Sequence, residues 1–141
     1  MVHGRYDGLA TAPVVHEHDQ LFIPLAGRMH VAPAAGQGRV LGPEEAAWIP
    51  AGLPHAASSL GGEAGFVAVN APPGWLPGLA ARHGLAPLPA LGLTPLRDPG
   101  LWLAAQLLAR TLDAPPGGEA WLDAALLQLG LLALAAGAGP G

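Results

Sequence analysis

The chain has 141 residues, 51% hydrophobic and 11% charged, with 21 Gly, 16 Pro and a formal net charge of −4. That excludes a disordered chain, which lacks apolar surface to bury, and so much turn punctuation excludes a mostly helical one. No Cys is present, so disulfides and thiolate chemistry are excluded, and the cations, all Arg and scattered from Arg5 to Arg110, offer no basic face for nucleic acid.

In chain order, the opening MVHGRYDGLA shows no charged segment leading into an apolar one. No signal peptide is therefore expected, and a cytoplasmic location is. Residues 14–27 read VVHEHDQLFIPLAG. On a strand alternate side chains share a face, so His16, His18 and Gln20 point one way and Val15, Asp19 and Leu21 the other. Glu17 and Asp19 are expected as surface charges on the outer face. Pro24, inside a strand-like run, predicts an edge position, a bulge or an early strand end.

Short β-like segments follow: RMHVAPAAGQG, RVLG, AAWIPAG, PHAASS and GFVAVN, with AAGQG (34–38) as a hairpin turn. Such spacing predicts an antiparallel sandwich or barrel. Residues 1–70 are accordingly read as the barrel core. Residues 71–97 are a Pro/Gly-rich connection with room for one helical turn around GLAARHG and a final strand.

Residues 98–141 predict two helices. Asp98-Pro99 is a helix start, an N-cap followed by Pro at the first helical position, and the helix runs to a stop at DAPPGG. Gln106, Arg110 and Asp113 form its narrow polar stripe. The second spans about Glu119 to Ala136, and its AALLQLGLLALAA, at 13 residues, is too short to cross a bilayer. Helices this apolar need more cover than one small barrel gives, so a homodimer is expected.

The second histidine motif is WIPAGLPHA, in which Pro50, Gly52 and His55 form P-x-G-x-x-H. Pro and Gly force a tight turn, and a strand begins near His55. In an antiparallel barrel His55 then faces the interior that His16 and His18 face. Three imidazoles suit a divalent metal (zinc, nickel, iron or manganese), with Gln20 or water completing the shell.

HEHDQLFIPLAG and WIPAGLPH resemble the two motifs of the cupin family, whose fold is a small jelly-roll barrel. His16 and His18 match the first motif's H-x-H, with Gln20 where the family has Glu. Pro50, Gly52 and His55 match the second, with Ser59 in place of Asn. With the two helices added, residues from about 8 to 136 resemble the sensor half of AraC-type transcription regulators, where a cupin barrel binds an effector and two helices dimerise. The resemblance thus implies a cupin barrel followed by two helices, in a sensing or regulatory role. It implies a small-molecule effector, and pairing with a second copy or with a full-length regulator. The DNA-reading half of that family is not expected here. The alternative is a small metal-dependent cupin enzyme, a dioxygenase or isomerase, against which stands the missing carboxylate ligand.

Phe22, His30 and Trp48 are candidate pocket-lining residues. His3 and His83 read as surface residues. Ser58-Ser59 has no base and no nucleophile elbow, so no catalytic residue is assigned.

Overall fold

The computed structural model describes residues 2–7, 17–33, 38–42, 44–89, 92–113 and 120–138. His16 and most of the AAGQG turn lie outside them. Among the described residues six strands, β1 (Val2–Asp7), β2 (Asp19–Pro33), β3 (Arg39–Leu41), β4 (Glu45–Ile49), β5 (His55–Ala71) and β6 (Thr94–Arg97), form one curled antiparallel sheet. Its order is β1-β5-β2-β4-β6, with β3 also pairing β2. Helix α1 (Trp75–Arg82) lies between β5 and β6, and α2 (Pro99–Asp113) and α3 (Ala120–Ala138) follow.

Pro24 sits in a central strand, which a missing N–H would ordinarily forbid. The register shows how it is tolerated: the pairing of β2 with β5 shifts between Pro24 and Ala26 and again between Ala26 and Arg28, where Gly27 takes φ 74°. A bulge frees backbone groups, and α2 supplies partners for them. Trp102 Nε1 donates to the Pro24 carbonyl at 3.0 Å, and Gln106 Nε2 donates to the Leu25 carbonyl at 2.9 Å. Gln106, expected on a polar stripe, thus turns toward the sheet.

A register slip exchanges the two faces of a strand. Before the bulge, Leu21 and Ile23 face the helices and Phe22 faces the concave side; after it, Met29 and Val31 are on the concave side. Two apolar layers result. The outer one joins Leu21, Ile23, Trp48, Val67 and Val69 to the three helices. The inner one gathers Phe22, Met29, Val31, Leu41, Ile49 and Phe66, with the Phe22 and Phe66 rings stacked 5.3 Å apart.

The connection after Ala71 holds more structure than its Pro and Gly content predicts. Helix α1 starts at Trp75, with Gly74 at its N-cap in the left-handed region (φ 96°). Pro77 falls in the first turn, where its missing N–H has no intrahelical partner to lose. Strand β6 pairs β4 at the sheet's edge, which suits Pro95. The Asp98 start of α2 forms as expected, with Asp98 Oδ1 accepting from the Gly100 N–H at 3.0 Å. Helix α3 packs on α2, α1 and β6, so the sheet and α1 cover much of the apolar helix surface. Among the described residues no helix is long and apolar enough to cross a membrane.

Candidate functional site

The P-x-G-x-x-H turn is closed by a hydrogen bond from the Leu53 N–H to the Pro50 carbonyl (3.3 Å), with Gly52 at φ 81°. That conformation strains any residue with a Cβ. Asp19 ties this turn to β2: its Oδ1 accepts from the Ala51 N–H at 2.7 Å. The half-buried Asp19 is therefore not the free surface charge that strand alternation suggests, whereas Glu17 is exposed. The same contact holds the segment bearing half-buried His18 beside the turn that delivers His55.

His55 opens β5 and is 5% exposed. Its Nδ1 lies 3.0 Å from the Leu53 carbonyl. A carbonyl only accepts, so Nδ1 carries a proton in this contact, which fixes the ring's orientation. Fixing one ring nitrogen on a backbone carbonyl is how metal-binding histidines are commonly oriented.

Gln20 is 8% exposed and donates through Nε2 to Asn70 Oδ1 at 3.0 Å, directly across the β2–β5 pairing. It shares strand parity with Phe22, and Asn70 shares it with Ala68 and Phe66, so both amides belong to the inner face. With its nitrogen so engaged, Gln20 has Oε1 as its remaining acceptor. No motif marks Asn70 as a site residue, although a lone polar residue ending the apolar run GFVAVN is a usable signal.

The other candidates fall in different places. Phe22 is buried in the inner layer, as part of the Phe22–Phe66 stack. Trp48 is in the outer layer, and with Asp19, Pro50, Leu76 and Leu88 it borders a small cavity of about 120 Å³. His30 lies on the face opposite Met29 and Val31, its ring over Gly38. An unbroken strand would have put His30 on the side of Phe22; the bulge reverses it. Near His55, a cleft of about 300 Å³ is lined by Pro33, Arg39, Leu53 and Leu93, among others.

The donor chemistry of His55 fits a divalent metal. Among the described residues, however, no three His, Asp or Glu side chains gather as a metal-binding group, and His16 lies outside them. The arrangement is a largely apolar concave face carrying the paired amides Gln20 and Asn70. The oriented imidazole of His55, a residue paired to Pro33, lies at the other end of the β2–β5 ladder, on the strand parity of Ala57 and Val31.

No protein-family model matches the sequence, and no curated protein does. Solved structures do resemble the chain. DMSP lyase DddQ from Ruegeria pomeroyi DSS-3 is 25% identical over 45% of this chain and 32% of its own, with a TM-score of 0.40. A cupin superfamily protein from Desulfitobacterium hafniense DCB-2 is 22% identical over 48% and 62%, at 0.41. Apo ToxT K231A from Vibrio cholerae strain SCE256 is 11% identical over 92% of this chain and 53% of its own, at 0.61. The chain thus spans less than two thirds of each of these structures. The ToxT likeness extends over nearly the whole chain, and at that identity what it shows is the fold.

Proposed function

We propose that this chain is a sensing domain of cupin fold that binds a small effector on the inner face of its curled sheet, with a divalent metal as part of the site. The observation carrying this is the placement of buried His55 and of the Gln20–Asn70 pair on an otherwise apolar concave face. Apolar surroundings with a few placed polar groups are the usual makeup of a small-molecule pocket. The fold agrees with the AraC-type sensor half that the sequence motifs resemble, since the likeness to apo ToxT covers 92% of this chain.

In this reading His16, His18 and His55 would hold the metal, and Gln20 Oε1 or a water would complete its shell. A divalent metal held there would supply Lewis acidity toward an effector oxygen. Phe22 supports the effector's apolar part. The cleft beside Leu53 and Arg39 is the approach. Sensing is transmitted through a homodimer formed by α2. On that helix Leu103 and Leu107, one turn apart, are 60% and 65% exposed. Exposed leucines in such a row mark an association surface.

A thermal-shift screen of small molecules, run with each candidate metal present, tests the reading. Ligand binding raises stability by RT ln(1 + [L]/Kd). A compound that raises the melting temperature of the wild type and fails to do so in Gln20→Leu supports the inner-face site. Compounds that stabilise both proteins equally place the ligand elsewhere and contradict it.

A further inference from the structure

Where β5 ends, a groove of about 320 Å³ lies between the last residues of that strand, the start of α1 and one face of α3. Its walls are Val69, Asn70, Pro72, Trp75, Asp123, Leu126 and Leu127, with Ala71. The size falls at the lower end of small-molecule pockets, roughly 300–1,000 Å³. Asp123, Leu126, Leu127 and Gly130 are spaced i, i+3, i+4 and i+7, so they share one face of α3. Gly130 lets that face approach α1 closely: a Cβ there would meet Trp75 Cη2 and Leu79 Cδ2, each at 2.8 Å. Trp75 is thereby wedged against α3 as a fixed aromatic wall.

Among the described residues Asp123 is the one charged residue in this lining and makes no ion pair. It also stands in the first turn of α3, where a carboxylate favours the helix dipole. That accounts for an acid at this position but not for an aromatic and leucine cleft beside it, where Leu127 remains 42% exposed. A neutral apolar ligand would cover the carboxylate without offering a counter-charge, which is costly. An anion would be repelled by Asp123 and by a chain of net charge −4. A cation gains from both the carboxylate and the indole.

We infer that this groove is a second binding site, sharing only Asn70 with the inner face, for a small organic ammonium compound with an apolar body. The ammonium group pairs with Asp123, and the body lies along Trp75, Leu126 and Leu127. The inference does not depend on a metal or on the effector reading above.

Titrations followed by tryptophan fluorescence test it, using phenethylammonium, phenylacetate and 2-phenylethanol as probes of one shape and three charges. The expected result is a saturable change with phenethylammonium alone, its apparent Kd weakened roughly tenfold in Asp123→Asn. Because Asp123 is exposed, that variant keeps the fold, which circular dichroism checks. Equal binding of the alcohol, equal affinity in Asp123→Asn, or no saturable change with phenethylammonium would each overturn the proposal.

Discussion

Asn70 gives Gln20 its partner 50 residues away in the chain, and both amides lie on a face that is otherwise apolar. Truncating one member exposes what the pair is worth. Asn70→Ala leaves the buried Gln20 amide without its acceptor, a loss of about 1–3 kcal/mol by urea denaturation. The double variant Gln20→Leu/Asn70→Leu should recover most of that loss, because an apolar pair leaves nothing to satisfy. If Asn70→Ala is neutral, the Gln20 amide is satisfied by another partner. The difference between these residues and His55 is also a difference in how far the sequence could be read. The turn preceding His55 is local chemistry: a proline, a glycine at φ 81° and a strand start, all within six positions. The Gln20–Asn70 bond depends on strand register, which no short motif carries. Asp19 was misjudged for the same reason, since the Ala51 N–H that it binds lies 32 residues on.

The elements were legible to different depths. Asp98-Pro99 announces α2 because an N-cap and a proline act within one turn. Alternation in β2 failed beyond Pro24, because a bulge exchanges the faces and His30 goes with the wrong side. Sequence does signal a disturbance at Pro24; what it lacks is the pair of α2 side chains that make the bulge affordable. Replacing Gln106 by Leu removes the donor to the Leu25 carbonyl, and the melting temperature should fall in line with about 1 kcal/mol. An unchanged melting point would mean that water serves that carbonyl equally well. Two glycines give a sharper contrast. Gly78 in α1 has open space where a Cβ would go, whereas Gly130 in α3 does not. Alanine favours a helix by up to about 1 kcal/mol over glycine, so Gly78→Ala should stabilise the chain. At Gly130 the clash with Trp75 and Leu79 costs about 1–3 kcal/mol and outweighs that gain. Melting curves of the two variants should move in opposite directions; a stabilised Gly130→Ala would contradict the close α1–α3 packing.

For the whole molecule, composition and turn spacing conveyed a curled antiparallel sheet followed by helices, and the likeness to ToxT over 92% of the chain shows that fold. Composition was less informative about which helix surface remains open, since α1 and the sheet cover more of α3 than its apolar sequence suggests. The open row is on α2. Sedimentation velocity should find a dimer for the wild type and a monomer for Leu103→Glu/Leu107→Glu; a wild-type monomer at all concentrations would remove α2 as the association surface. At the inner-face site, the proposed metal is the feature most directly measured. Elemental analysis of the purified protein beside a folded His55→Ala variant decides it. Close to one divalent metal per chain is expected in the wild type, and its loss in the variant. No metal in the wild type, even after incubation with zinc, nickel, iron and manganese, would contradict it.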